Sequence, residues 1–127
     1  MNQIIQEWIN KAEGDFSTAE REFAVTCSPN YDAVCFHAQQ CIEKLLKALM
    51  IKFKATPPRI HDLAELGRLV APYCPSWQPK TEDLNYLTRA AVDFRYPGEA
   101  ADKEEAGGAV SIARKLRMEL LELLNML

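Results

Sequence analysis

The sequence predicts an all-α protein, an up-and-down bundle of four long helices plus a short extra helix. Apolar residues recur at spacings of three and four, no segment alternates polar and apolar residues as a strand does, and prolines or capping residues separate the apolar repeats. At 127 residues the chain has the length of one ordinary domain, and we expect a single domain over residues 1–127.

The first helix is predicted over about residues 3–26. One face of it carries six apolar residues spaced four, three, four, three and four apart: Ile5, Ile9, Ala12, Phe16, Ala19 and Phe23. The segment Ser28-Pro29-Asn30 then breaks the helix. It also supplies capping groups for the next helix, with Pro29 acceptable in a first turn.

The second helix is predicted from about Tyr31 to Phe53 and is amphipathic. At about 100° per residue, four polar residues fall within a sector of roughly 80°. These are His37, Gln40, Lys44 and Lys47, and the apolar side holds Ala38, Ile42, Leu45, Leu49 and Phe53. A solvated face is the simplest interpretation of this polar stripe, and a ligand-binding face is the alternative.

A short third helix follows Pro57-Pro58, which ends the second helical region by fixing backbone angles. Asp62 with Glu65 resembles a capping arrangement at its start. The apolar residues of this helix are Leu63, Leu66 and Val70. The proline-rich loop after it contains Trp77, which we expect to pack back on the bundle.

Two more helices complete the predicted bundle. Thr81, followed by acidic residues, starts a fourth helix, and Tyr96-Pro97-Gly98 stops or kinks it. Its inward residues are Leu84, Leu87, Ala91 and Phe94. The last helix repeats the rhythm with Ala109, Ala113, Leu116, Leu120, Leu123 and Leu127. Gly107-Gly108 near its start predicts either fraying or close packing.

The charge distribution favours a compact anionic ligand. The net charge of −3 argues against nonspecific coating of nucleic acid, which needs many phosphate contacts. Between Lys44 and Arg68, however, six basic residues stand against two acidic ones. A local basic patch on an acidic chain is typical of binding to one compact anion.

The sequence also indicates where the protein is located and whether it binds a metal. No apolar run approaches the roughly 20 residues that cross a bilayer, and the N-terminus lacks the pattern of a secretory signal, so we expect a cytoplasmic protein with no membrane association. The four cysteines show no C-x-x-C spacing. We interpret them as reduced thiols that mostly pack in the core, and we expect no metal site and no cofactor.

Four motifs, in order and spacing, resemble the HEPN domain family. They are the segments Trp8–Glu20, Cys35–Ala48, Arg59–Leu63 and Arg95–Pro97. The resemblance implies an all-α bundle, often dimeric, found in prokaryotes beside or fused to a minimal nucleotidyltransferase of the MNT type. Many members of the wider superfamily are metal-independent ribonucleases, and several are toxins restrained by that partner.

The catalytic signature of those ribonucleases is incomplete here. It consists of an arginine, four to six intervening residues and a histidine, acting across a dimer cleft. Arg95 matches the arginine, but Ala100, Ala101 and Asp102 stand where the histidine should follow. A carboxylic acid ordinarily titrates well below neutral pH, unlike imidazole, so we expect no competent ribonuclease. A ribonuclease that uses Arg95 with His61 is the alternative.

The resemblance and the charges together give a set of candidate site residues. Phosphate neutralisation is assigned to Arg95, Lys44 and Lys47, base or sugar contact to Tyr96 or His61, further ligand contacts to Gln40 and His37, and orientation of Arg95 to the acids Asp93, Glu43 and Asp15. Simpler roles remain open, because Arg95 could pair with Asp93 or a helix end, and His61 could bond a backbone carbonyl.

The sequence therefore predicts a HEPN-domain protein that binds a nucleotide or RNA segment, an MNT-type nucleotidyltransferase partner, or both. Such a protein would belong to a two-component, toxin–antitoxin-like system, form a homodimer and not be catalytic itself. A pure protein-interaction subunit is a further alternative.

Overall fold

Five α-helices form the computed structural model of the chain, which describes residues 2–94 and 96–125. They are α1 (Gln3–Phe23), α2 (Tyr31–Lys52), α3 (Leu63–Val70), α4 (Thr81–Asp93) and α5 (Lys103–Asn125). No strand occurs within the described residues. The predicted all-α bundle of four long helices and one short helix is confirmed.

Helix α2 lies at the centre of the bundle and packs against each of the other four helices. From Cys41 to Met50, every residue except Lys44 is buried. The prediction of a fully solvated polar face on this helix is therefore wrong. Lys47 is enclosed together with Glu43, because neighbouring elements cover almost the whole circumference of α2.

The apolar core draws residues from all five helices. The predicted apolar faces point into it, although Phe23, Phe53 and Phe94 are only partly buried, and the predicted Leu127 lies outside the described residues. On α5 the fully buried residue after Leu120 is Leu124, and Leu123 is only partly buried. The predicted four-three rhythm fails at that turn because a straight helix of 3.6 residues per turn drifts away from a strict seven-residue repeat.

The helix boundaries largely follow the capping residues in the sequence. The Asn30 side chain accepts a hydrogen bond from the backbone N–H of Ala33 at 3.0 Å and caps α2. Pro29 precedes this cap, so it does not lie in the first turn as predicted. Helix α1 ends at Phe23, about three residues earlier than predicted.

The caps of α3 and α4 differ from each other. Asp62 accepts a hydrogen bond from the backbone N–H of Ala64 at 3.0 Å and caps α3, as predicted. At α4, Lys80 occupies the cap position without a side-chain hydrogen bond, and Thr81 is the first helical residue. The prediction that the fourth helix starts at Thr81 is confirmed.

Two predicted contacts at the periphery are present. Trp77 is buried, and its indole N–H donates to a Glu119 carboxylate oxygen at 2.9 Å. At the start of α5, a Cβ on Gly108 would lie 2.5 Å from the Tyr86 hydroxyl oxygen. Gly108 therefore permits close packing between α4 and α5, and this part of α5 is ordered helix.

The cysteines are free thiols, of which Cys27 is exposed and the other three are buried. Burial raises the pKa of Cys35 to about 12, and the carboxylate of Asp32 adds to the shift. A thiol that stays protonated at neutral pH is a poor nucleophile. The three buried cysteines are packing residues, as predicted, whereas Cys27 is not.

Candidate functional site

Two carboxylate clusters lie along α2, and the first is centred on Asp15 of α1. One Asp15 oxygen lies 2.8 Å from Nδ1 of His37, and the other accepts a hydrogen bond from the Lys44 ammonium at 2.6 Å. His37 and Lys44 are seven residues apart, about two helical turns, so they lie on one face of α2. We call these three residues the Asp15 cluster; it joins α1 to α2.

The second cluster is centred on Glu43, which is buried in α2. One carboxylate oxygen accepts hydrogen bonds from the side-chain amides of Gln39 at 3.0 Å and Gln40 at 3.3 Å. The other accepts from the Lys47 ammonium at 3.0 Å. The segment after α2 returns His61 to this point, with Nδ1 at 3.0 and 3.1 Å from the two oxygens. We call these five residues the Glu43 cluster.

The Glu43 carboxylate is ionised at neutral pH. Burial raises the pKa of this group, but hydrogen bonds from Gln39, Lys47 and His61 outweigh burial and lower the pKa below its ordinary value. An ionised carboxylate only accepts hydrogen bonds. Each group that faces Glu43 must therefore donate, so the Nδ1 atom of His61 carries a proton.

His61 is held at its base and open at its tip. Its backbone carbonyl accepts a hydrogen bond from the Gln39 amide at 2.9 Å, and its side chain is 73% exposed. In a neutral imidazole whose proton is on Nδ1, Nε2 is a hydrogen-bond acceptor. The Glu43 cluster therefore presents an oriented imidazole acceptor to solvent.

A groove opens beside His61, between α2 and α4, with a volume of about 190 Å³. Its lining residues are Phe36, Gln39, Gln40, His61, Thr88, Ala91 and Val92. Phe36 and Val92 are large apolar residues that remain exposed. Since the groove is smaller than the roughly 300 to 1,000 Å³ of a small-molecule pocket, it suits one ring or group of a larger ligand.

A guanidinium group lies next to the groove on α4, in an adjoining cleft whose other charged lining residues are Asp62 and Glu82. Arg89 is exposed and lines an adjoining cleft that shares Thr88 with the groove. Sequence analysis missed Phe36, Thr88 and Arg89. Phe36 stands beside His37 in the polar stripe, and an aromatic residue there was the available signal. Nothing in the sequence distinguishes Arg89 from other arginines on helix surfaces.

The structure separates the predicted site residues into groups. His61 and Gln40 line the groove, whereas His37 and Lys44 belong to the Asp15 cluster. Lys47 is enclosed beside Glu43. The prediction that both lysines are available for phosphate does not match these pairings, because a carboxylate already neutralises each ammonium group.

Arg95 lies outside the described residues, and so does the predicted cleft around it. The predicted orientation of Arg95 by Asp15, Glu43 and Asp93 falls outside them for the same reason. Tyr96 is exposed and lines a neighbouring cleft together with Asp93. That cleft shares Val92 with the groove. Asp15 and Glu43 are each occupied by a histidine and a lysine.

Asp102, at one of the positions expected for the signature histidine, has a structural role. Its side chain accepts a hydrogen bond from the backbone N–H of Glu105 at 2.8 Å, and the Glu105 side chain accepts one from the backbone N–H of Asp102 at 3.0 Å. This reciprocal pair is a capping box. The residue at this position therefore stabilises the start of α5.

Within residues 2–94 and 96–125, no group of three or more His, Cys, Asp or Glu side chains is arranged to hold a metal ion. In the same residues, no helix combines the length and the apolar character that a membrane span requires.

This chain has a fold similar to those of two solved structures. It is similar to the crystal structure of TT1696 from Thermus thermophilus, with a TM-score of 0.77, 23% identity, and coverage of 96% of this chain and 98% of the other. It is also similar to ST0689, an archaeal HEPN homologue, with a TM-score of 0.69, 21% identity, and coverage of 98% and 100%. At these identities the likeness shows the fold alone.

No curated protein matches the chain at a significant level. The family model described as the HEPN domain matches residues 5–123. Because this match spans nearly the whole chain, the protein belongs to the HEPN domain family.

Proposed function

We propose that this protein binds a nucleotide or a single-stranded RNA segment in the groove between α2 and α4. The observation that carries the proposal is the exposed imidazole of His61, which a buried ionised carboxylate holds at the groove. A fixed side chain loses little conformational entropy when it binds a ligand. The exposed ring of Phe36 nearby supplies an aromatic surface for a base.

In the proposed binding mode, one base enters the groove and the phosphates follow α4. The base contacts Phe36 and Val92 and hydrogen-bonds to His61. The guanidinium group of Arg89 attracts the phosphate, a contact that is stronger than a neutral hydrogen bond. Arg95 and Tyr96 are proposed to extend the same phosphate and base contacts beyond the groove. Lys44 and Lys47 contribute little in this mode, since Asp15 and Glu43 neutralise them.

A negative charge introduced at the wall of the groove tests this proposal. Val92→Glu places a carboxylate where the ligand would lie, and Met118→Glu is a matched control because Met118 is likewise an exposed apolar residue, on α5. We expect fluorescence anisotropy to show that Val92→Glu weakens the binding of labelled single-stranded RNA at least tenfold, while Met118→Glu binds like the wild type. Equal effects of the two variants would contradict a site in this groove.

A metal-independent ribonuclease is the second candidate, and the geometry of Glu43 and His61 favours it. A carboxylate that holds a histidine with Nε2 unprotonated is the arrangement of a general base. The test is incubation of RNA with the protein in chelator. Cleavage that both His61→Ala and Arg95→Ala abolish would establish the enzyme, whereas intact RNA after prolonged incubation supports binding without cleavage.

Protein partners are the remaining part of the proposal. We propose one HEPN domain over residues 1–127 that forms a homodimer and pairs with an MNT-type nucleotidyltransferase in a toxin–antitoxin-like system. The exposed apolar side chains of Phe36, Val92 and Tyr96 would favour such contacts. If the wild type binds neither RNA nor nucleotide, and Val92→Glu disrupts only association with a co-encoded nucleotidyltransferase, the interaction-subunit alternative replaces nucleotide binding.

A further inference from the structure

We infer that the groove selects nucleobases that carry an exocyclic amino group and discriminates against uracil. This inference rests on the proposed binding of a nucleotide or RNA segment in the groove. Several hydrogen-bonding groups around Glu43 and the groove are already paired within the protein, and the groups that remain determine which base can bind.

The orientation of both glutamine amides is fixed by the Glu43 carboxylate, which only accepts. The Gln39 Nε2 atom donates to Glu43 at 3.0 Å and to the His61 carbonyl at 2.9 Å. The Gln40 Nε2 atom donates to the Gln39 Oε1 atom at 2.8 Å and to Glu43 at 3.3 Å. Since an amide nitrogen carries two hydrogens, both donors of each glutamine are used.

The remaining polar groups of the groove are acceptors. Gln40 retains its Oε1 atom, and a neutral His61 retains Nε2 as an acceptor because its Nδ1–H group faces Glu43. The Thr88 hydroxyl donates to the Leu84 carbonyl at 3.1 Å and accepts from the Leu63 N–H at 3.1 Å. Among the described side chains that line the groove, none therefore has an uncommitted donor, and two have acceptors that a ligand can reach.

A site with only acceptors favours a base edge that donates. The N6 amino group of adenine, the N4 amino group of cytosine and the N1–H and N2 amino groups of guanine all meet this requirement. Uracil presents its O4 and O2 acceptors on either side of a single N–H group. Uracil would place its acceptors against the acceptors of the groove. Because such groups repel each other, uracil loses a favourable contact and also incurs an energetic penalty.

Cytosine and uracil provide the sharpest comparison, since they have the same ring and differ in the group at C4 and the proton at N3. We would measure the anisotropy of labelled eight-nucleotide oligocytidine and oligouridine with the wild-type protein at pH 7.5. The expected result is binding of oligocytidine on the order of tenfold tighter, the scale of one net hydrogen bond. Equal binding of the two oligomers, or tighter binding of oligouridine, would overturn the inference and leave the proposed function standing.

A variant tests whether Gln40 contributes to the selection. Gln40→Met keeps the length of the side chain and removes its acceptor, and Gln78→Met changes an exposed glutamine in the loop before α4 as a control. We expect Gln40→Met to reduce the cytosine preference severalfold and Gln78→Met to retain it. An unchanged preference in a folded Gln40→Met protein would overturn the assignment.

A comparison of two ligands tests the same inference without any substitution. Adenosine monophosphate should bind several times more tightly to the wild type than purine riboside monophosphate, which lacks the amino group. Equal affinities would count against amino-group recognition. If none of the oligomers or monophosphates binds, the proposed function itself fails, and the inference fails with it.

Discussion

The Asp15 and Glu43 clusters use the same three kinds of residue and put them to different uses. Each contains a carboxylate that pairs with one histidine and one lysine. In the Asp15 cluster the side chains of His37 and Lys44 have similar exposure, 31% and 22%. In the Glu43 cluster the lysine is 9% exposed and the histidine is 73% exposed.

The difference arises from which elements supply the partners. Both partners of the Asp15 carboxylate come from α2, so the cluster joins two helices along their length. In the Glu43 cluster the lysine comes from α2, but the histidine comes from the segment between α2 and α3, which crosses the surface. A buried lysine balances the carboxylate, and the exposed imidazole is left available to a ligand. Exposure of the histidine, and not the presence of a carboxylate–histidine pair, therefore marks the candidate site.

Removing each carboxylate should reduce the unfolding free energy more than removing the lysine paired with it. The loss should be larger for Glu43 than for Asp15. Glu43→Ala leaves Lys47 buried without its partner, which costs about 3 to 5 kcal/mol of unfolding free energy. Asp15→Ala should cost about 1 to 2 kcal/mol, because water reaches Lys44 and His37. Urea unfolding of the two variants measures the gap. Equal losses would mean that the two clusters do not differ in their structural role.

Substitution of the lysines should also lower the unfolding free energy, more for Lys47 than for Lys44, but in each cluster by less than removal of the carboxylate. Lys47→Met leaves the buried Glu43 carboxylate without its ammonium partner, and we expect a loss of about 2 kcal/mol of unfolding free energy. Lys44→Met should cost below about 1 kcal/mol, since Lys44 is more accessible to water. Both variants should bind RNA within about twofold of the wild type. A large loss of affinity in either folded variant would restore the sequence-based assignment of these lysines to phosphate.

Acidification should reduce the contribution of Glu43 to stability. Its pKa in the folded protein lies below the ordinary value of 4.5, so the folded state binds fewer protons than the unfolded state as the pH falls through that value. The stabilisation is fully present above pH 4.5 and is lost as the pH falls through the folded pKa. The stability gap between the wild type and Glu43→Gln should therefore narrow from pH 7 to pH 3. A constant gap would contradict the direction of the shift.

Much of the fold followed from the sequence because apolar spacing and capping residues are local signals. The repeats in α1 and α2 and the cap at Asp62 could be interpreted without tertiary information. The burial of Lys47 could not be predicted, since it depends on the other helices surrounding α2. Likewise, the shift from Leu123 to Leu124 reflects how α5 lies against the bundle, which its own sequence does not specify.

The candidate site was only partly predictable for the same reason. His61 and Gln40 were found because they lie in motifs that resemble those of the family. The segment between α2 and α3 folds back on α2, so His61 lies beside Glu43 whereas His37 lies beside Asp15. Phe36 lies near Thr88 because α4 packs against α2. Contacts between distant residues are fixed by tertiary packing, and no spacing in the sequence encodes them.

Comparing RNA binding by His61→Ala and His37→Ala tests most directly whether the groove beside His61 is the binding site. Both variants lose an imidazole that contacts a carboxylate, and thermal unfolding can verify that both remain folded. If the groove beside His61 is the binding site, His61→Ala weakens the binding of single-stranded RNA about tenfold or more, and His37→Ala stays within about twofold of the wild type. Loss of binding in His37→Ala with retention in His61→Ala would contradict the account.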